Sequence, residues 1–450
     1  MAISGPISAP SFSTSSTKTD VRAMSIATCL FFMWGLLTSL NDILIPHLKS
    51  IFELSYAQAM LVQFAFFSSY FIFALPSGKL VEWRGYKQTM IIGLVIMACG
   101  ALLFLPAAAA ASYGLFLAAL VVLAAGITCL QVAANPYVTM LGPESTAASR
   151  LNFSQAFNSL GTTLGPVFGG ILILSSTQVT PDKLHSFTAA ALQTYREQQA
   201  SSVRLPYIGI AIVLFSLAAA LGLLKMPTML TNANTQDFRP GEYASGSVAD
   251  SIWHHKWLLL GALGIFLYVG GEVSVGSFLV NYFELPKIGA LTEPQAAKYV
   301  GFYWGGAMCG RFLGSFVLRY VRTGVLLGAV ATTAATLVVI SMTTHGSLAF
   351  WAILSVGLFN SVMFPSIFSL GLHNLGALTS KGSSLMVMAI VGGALLPLLQ
   401  GKIADQIGIQ HAFFIPVLCY CYIAVFGFSA RNLIGSGAEA EAAKLHLLAE

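Results

Sequence analysis

Apolar stretches of about twenty residues recur along the whole of this chain, separated by short polar connections, and that pattern leaves very few folds open. At about 1.5 Å rise per residue, a helix of about 18 or more apolar residues crosses a hydrocarbon core about 30 Å thick. Twelve such runs are read, over 23–48, 56–77, 87–109, 112–137, 150–175, 204–226, 256–283, 297–319, 323–343, 347–371, 382–403 and 409–430. Inside a bilayer every backbone polar group must be satisfied within the segment, so runs of this length are expected to be helices. Composition agrees: 56% of residues are apolar and only 9% charged, against about 25% charged in a soluble domain. The expected class is an all-α membrane protein with twelve transmembrane helices, at home in a lipid bilayer.

The basic residues set the expected orientation. With the N-terminus in the cytoplasm, the outer connections hold Lys49, Lys183, Arg196, Arg204, Lys287, Lys298 and Lys402, Arg311 lies inside a span, and the other fourteen of the 22 fall on the cytoplasmic side. That two-to-one bias places both termini in the cytoplasm of a bacterial-type inner membrane. The net charge of +5 then reports topology, and no nucleic-acid partner is expected. Residues 1–20 read as a disordered Ser/Thr-rich tail with no cleavable leader, and 432–450 as a second cytoplasmic tail. The six cysteines, Cys29, Cys99, Cys129, Cys309, Cys419 and Cys421, all fall in apolar spans and read as small buried hydrophobes. No clustered metal spacing, phosphate loop or nucleophile elbow appears, so an enzyme is not expected, and no cofactor is called for.

The chain repeats itself. Residues 227–255 form the most polar long connection and split it into halves of six spans, 21–226 and 256–431. Gln131, Pro136 and Gly142 recur 229 residues later as Asn360, Pro365 and Gly371, and Gly161, Pro166 and Gly170 recur after 231 as Gly392, Pro397 and Gly401. Two parallel six-helix halves about an axis normal to the membrane are the architecture of alternating-access transporters, with the ligand site between the halves. The connection after the second span reads Gly78-Lys-Leu-Val-Glu82-Trp-Arg-Gly85-Tyr-Lys87. It resembles the loop motif of the major facilitator superfamily, with Glu82 as its acid and with Trp83 and Tyr86 in place of two basic positions.

Polar side chains within the spans mark a candidate site. Asp42 and Glu272 stand 230 residues apart, one in each half. A carboxylate near mid-membrane costs about 2.5–3.5 kcal/mol on insertion scales, so it is expected to face a cavity and to function there. Trp34, Thr38 and Asn41 follow helical spacing beside Asp42, and Gln63, Gln131, Asn135, Asn158, Asn281, Trp304 and Asn360 add amide and aromatic groups. Amides donate and accept as sugar hydroxyls do, and an aromatic face suits a sugar's C–H face, so a neutral monosaccharide fits better than an anion. The bland reading of each amide, a bond between helices worth about 0.6–2 kcal/mol, stands beside the functional one. Arg311, between Gly310 and Gly314, reads as a structural partner. An exporter, a non-transporting sugar sensor and a membrane enzyme are the other classes weighed.

Over nearly its whole length the sequence resembles the fucose-galactose-glucose cation symporters of the major facilitator superfamily. The resemblance is carried by Trp34-Gly35, Leu40-Asn41-Asp42-Ile43-Leu44-Ile45-Pro46, Ala133-Ala134-Asn135-Pro136, Arg150-Leu151-Asn152, Gln155-Ala156-Phe157-Asn158-Ser159 and Pro365-Ser366-Ile367-Phe368-Ser369-Leu370-Gly371. It implies a cation-coupled importer of glucose or galactose, with mannose or fucose as alternatives, acting as a monomer. It also implies that Asp42 couples the cation and that Asn158 binds sugar. Family members that carry fucose have a glutamate where Gln131 stands and a glutamine where Glu272 stands, so the second acid has moved to the other half. The coupling ion is a proton or sodium; for sodium, Thr38, Asn41 and Gln131 are the oxygen donors expected around Asp42.

Overall fold

A computed structural model describes residues 19–52, 56–110, 112–172, 188, 204–227 and 251–439; over 40–52, 56–61, 166–172 and 204 it describes the helical backbone only. The 1–18 and 440–450 tails, the 228–250 linker and the outer 173–203 connection apart from Thr188 lie outside the described residues.

The first half contains α1 (Val21–Phe52), α2 (Tyr56–Ala109), α3 (Tyr113–Met140), α4 (Ala147–Leu172) and α5 (Arg204–Leu223). Asp20 opens α1 by accepting the Ala23 N–H at 2.9 Å, which satisfies one of the unpaired amides at a helix start. Within α2, Gly85 sits at φ 78°, ψ 169°, outside the helical region and in a conformation that only glycine adopts cheaply. The chain turns there, so α2 contains the second and third spans as two arms, 56–84 and 86–109. Cys129 of α3 touches both, lying 3.5 Å from the Thr89 carbonyl and bonding Ser77. Lys87 then closes the C-terminus of α5, its Nζ donating to the Gly222 and Leu224 carbonyls at 2.9 and 2.8 Å, where the helix dipole favours a cation.

The second half contains α6 (Lys256–Glu284), α7 (Glu293–Val317), α8 (Thr323–Thr343), α9 (Gly346–Asn360), α10 (Met363–Gly371), α11 (Thr379–Met388), α12 (Gly392–Ile407), α13 (Ile409–Ala412) and α14 (Phe414–Ser429). The tenth expected span is thus broken into α9 and α10, and the eleventh into α11 and α12 around a short 3-10 turn at Ala389–Val391. By length and apolar character nine stretches qualify as spans among the described residues, one of them the double-length α2. The two remaining helices, α4 and α7, are more polar, with Arg150, Asn152, Gln155 and Asn158 on the first and Gln295, Lys298 and Arg311 on the second.

The repeat has a packing basis. A Cβ on Gly161 would strike the α1 backbone at Phe32 and Leu36, and one on Gly392 would strike the α6 backbone at Phe266. Each glycine therefore lets the fifth or eleventh span lie directly on the first helix of its half, the close approach that small residues permit in membranes. The cysteines depart from expectation. Only Cys129 and Cys419 are buried, while Cys29, Cys99, Cys309 and Cys421 are exposed, which inside a bilayer is still an apolar setting.

The halves meet at the end of the bundle that carries Gly85, through α4 on α7 and α10 and through α2 and α3 on α11. Ser149 donates to the Ser315 carbonyl at 2.5 Å and Asn152 to the Arg311 carbonyl at 2.6 Å. Ser380 donates to Glu82 at 3.2 Å and Ser383 to the Val132 carbonyl at 2.8 Å. Ser149 and Ser380 are 231 residues apart, as are Asn152 and Ser383, so the two contact arms are related by the repeat. Glu144 and His373, 229 apart, face each other between them at 2.5 Å. Arg150 gathers the α3–α4 connection, its guanidinium donating to the Val138, Thr139, Gly142 and Pro143 carbonyls and to Thr146.

Candidate transport site

Between the halves, beyond this closed end, lies a cavity of about 310 Å³ lined by Thr38, Gln63, Phe67, Val273, Ser277 and Trp304 among others. Its volume is in the range of small-ligand sites. Trp304 stands edge-on to Tyr303, with ring centroids 5.1 Å apart, and Gly276 packs beneath its indole. A larger hollow of about 670 Å³ between α1 and α4, lined by Met24, Cys29, Phe32, Phe153 and Phe157, is almost wholly apolar. Its polar side chains are the hydroxyls of Thr19, Ser25 and Thr28, with no amide or charged group among them.

Behind the cavity the same bond occurs in each half. Gln131 Nε2 donates to the Tyr70 hydroxyl at 2.8 Å, and Asn360 Nδ2 donates to the Tyr303 hydroxyl at 2.8 Å. The amides are 229 residues apart and the tyrosines 233, so an amide–tyrosine pair is duplicated with the repeat. Trp34 adds a second bond to Tyr70, and Tyr420 a second partner to Asn360 at 3.4 Å. Asn360 Oδ1 and both amide atoms of Asn135 are buried without a protein partner. Buried polar groups are rarely left so, and Asn152 Oδ1 and both amide atoms of Gln400 share this condition.

Glu272 occupies the centre of the second half. Its Oε1 accepts from the Tyr268 hydroxyl at 2.7 Å and lies 3.9 Å from Arg311 Nη2. Tyr303 donates to its backbone carbonyl at 3.4 Å. Asp42 and Asn41 lie on α1, but their side chains fall outside the described residues. Thr38 lines the cavity with its hydroxyl turned to the Trp34 carbonyl at 3.0 Å. Asn158 donates to the Phe31 carbonyl at 3.0 Å, joining α4 to α1, and Asn281 is exposed on α6, two and a half turns past Glu272. The structure therefore brings Thr38, Gln63 and Trp304 together in the cavity lining, buries Gln131, Asn135, Asn360 and Glu272 in the interior outside that lining, and sets Asn158 and Asn281 apart from it.

The loop motif has its own geometry. Gly78 packs on Ser384, since a Cβ there would strike its Oγ, while Glu82 bonds Ser380 and lies 3.9 Å from Lys381. Sequence reasoning passed over Tyr70, Tyr268, Tyr303 and Tyr420. A tyrosine in an apolar run has no periodic signature, although the 233-residue offset of two of them was available.

A model of the Major Facilitator Superfamily matches residues 25–390. The chain belongs to that superfamily. Within it, the chain is 50% identical over 437 residues to the glucose/galactose transporter of Brucella abortus (strain 9-941), covering 97% of this chain and all of that one. It is 38% identical over 416 residues to the L-fucose-proton symporter of Escherichia coli K12, covering 91% and 93%. Among solved structures it superimposes with a TM-score of 0.83 and 35% identity on the major facilitator transporter FucP in the outward conformation, covering 91% of this chain and 99% of that one. These relatives are transporters, and the resemblance read from the sequence blocks holds over nearly the full chain.

Proposed function

We propose that this major facilitator protein imports a neutral hexose, glucose or galactose first, together with a cation moving down its gradient. The observation that carries this is the cavity between the two halves, flanked by Trp304, Gln63 and Thr38 and backed by the duplicated amide–tyrosine pair. Trp304 supplies an apolar plane and Gln63 a group that both donates and accepts, the two chemistries a sugar ring presents. Among the described residues no second cation joins Arg311 around the site, so an anionic sugar is disfavoured. Asn135 and Asn360 offer unsatisfied amide atoms to hydroxyls, and we keep Asn158, Asn281 and Asn41 as sugar contacts of other states of the cycle.

With the basic residues inside, the Gly85 end is cytoplasmic, as are both termini, and the cavity is reached from outside the inner membrane. Asp42 takes the coupling ion near the cavity and Glu272 shares in coupling or bonds the sugar. A proton is the ion we favour, because the fucose relatives are named as proton symporters. Sodium held by Asp42 with Thr38, Asn41 and Gln131 has no comparable support. The protein acts as a monomer, each chain carrying a whole site. A fucose permease is the second reading, favoured by the closeness of the FucP fold.

The test is uptake of labelled glucose, galactose and fucose into proteoliposomes under a proton gradient or a sodium gradient, imposed separately. Glucose or galactose accumulated under protons alone is the expected result. Fucose alone selects the second reading, accumulation under sodium alone overturns the ion, and binding without exchange in either direction indicates a sensor.

A further inference from the structure

Arg311 touches more of the molecule than its place near the end of α7 suggests. Its Nε donates to the Ser361 carbonyl at 3.3 Å, between α9 and α10. Its Nη1 crosses to the other half, donating to the Gln155 carbonyl at 3.4 Å and to the Ser159 hydroxyl of α4. Its Nη2 is the group that faces Glu272, and its own carbonyl accepts from Asn152 of α4. One cation thus joins the buried carboxylate of the second half to the helix of the first half that closes the Gly85 end.

The division into halves indicates which of these bonds yields, since α9 and α10 share a half with α7 and α4 does not. A Cβ on Gly310 would strike the Leu358 carbonyl and Ser361 Oγ, and one on Gly314 would strike Val362 and Asn152. Helix α7 is therefore packed closely both on α9 and α10 of its own half and on Asn152 of α4, and the Ser361 bond keeps the guanidinium with its own half. If α4 leaves α7, the Gln155 and Ser159 acceptors go with it. A buried guanidinium cannot stay unpartnered, and the nearest acceptor is Glu272, whose Oε1 has only Tyr268 as a short hydrogen-bond donor.

We propose that Arg311 is the positioning residue that links Glu272 to the state of the closed end. While α4 holds the guanidinium, its Nη2 stands off from Glu272 at 3.9 Å and the carboxyl can carry the coupling cation; when α4 and α7 part, the guanidinium closes on Glu272 and displaces that cation on the side just opened. This rests on the reading of Glu272 as a coupling group. By linkage, a proton on Glu272 favours the closed end and its loss favours opening. The titratable groups facing Glu272 are Tyr268 from α6, Arg311 and Tyr303 from α7, and Tyr420 from α14. None of the tyrosines supplies a charge that rivals the guanidinium at neutral pH.

The experiment needs no sugar. Spin labels at Trp83→Cys and Tyr320→Cys, both exposed at the Gly85 end of opposite halves, report its opening in full-length protein with its six cysteines replaced. Because Glu144 and His373 also pair across this seal, the measurement is repeated with His373→Gln. Opening as the pH rises is expected in both backgrounds, with loss of the response in Arg311→Gln and in Glu272→Gln. Arg311→Lys is expected to retain part of it, and Ser159→Ala to shift it to lower pH by releasing the guanidinium early. A response unchanged in Arg311→Gln overturns the proposal, as does one that disappears with His373→Gln alone. Failure of the wild-type protein to accumulate any hexose, with the response intact, would remove the substrate reading and leave this linkage standing.

Discussion

The two arms that close the Gly85 end are related by the repeat, yet they place their charges differently. In the α2–α11 arm, Glu82 meets Lys381 across 3.9 Å with side chains 23% and 50% exposed. Behind the α4–α7 arm, Arg311 of α7 meets Glu272 of α6, within the second half, across the same 3.9 Å, but at 13% and 11% exposure. The separation is equal and the setting is not. An exposed pair gains about 0–1 kcal/mol because water screens it. A buried pair has given up hydration on both sides, so removing one partner strands the other at a cost of about 3–5 kcal/mol. The surface arm is a clasp that opens cheaply, whereas the inner arm ties opening to the protonation and pairing of Glu272.

Arg311→Ala tests the comparison most sharply. It should lower stability in detergent by about 3 kcal/mol or more, read from thermal unfolding, and adding Glu272→Gln should restore much of the loss by removing the stranded charge. Asp42→Asn should abolish uphill accumulation of hexose while leaving exchange measurable in proteoliposomes; accumulation retained against a gradient would sink its coupling role.

Next in size are the amide–tyrosine pairs, where the halves differ again. Asn360→Ala should cost more than Gln131→Ala, each within about 1–3 kcal/mol, since Asn360 serves both Tyr303 and Tyr420. Equal effects would mean that Tyr420 contributes nothing. Lys381→Ala should change stability by no more than about 1 kcal/mol, and a loss like that of Arg311→Ala would erase the distinction between the arms.

The smallest effect concerns the segment after α14. The Ser436 backbone N–H and the Arg322 guanidinium hold the Glu439 carboxyl below its ordinary value, with Arg322 Nη2 2.8 Å away. A carboxylate so held contributes its stabilisation above the ordinary range and loses it as pH falls through the lowered value. Release of this segment, followed by amide exchange around 431–439, is therefore expected only under acid conditions below the usual glutamate range.

Much of this was legible in the chain. Twelve apolar runs mark twelve spans because a bilayer demands internally bonded helices of fixed length, and α2 to α14 follow those runs closely. The 229–231 residue offsets mark two halves because packing glycines such as Gly161 and Gly392 must recur wherever the same crossing recurs. Gln131 and Asn360 could be singled out because an amide is costly in lipid. Their partners Tyr70 and Tyr303 could not, because a tyrosine is at ease in lipid and gains its meaning only from what its hydroxyl meets. Arg311 was visible as an isolated charge and was read as structural, since no spacing rule connects a residue on α7 with one on α6.

The sequence by itself therefore determined the class of fold, its division into halves and the residue types in its interior, since hydropathy and repetition are properties of the chain read in order. Only the tertiary structure decided that Glu272 faces a cation, which half supplies that cation's other acceptors, and which end of the bundle is closed. Those are relations between helices far apart in sequence, set by close packing at glycines such as Gly310 and Gly314, and they have no trace in local order.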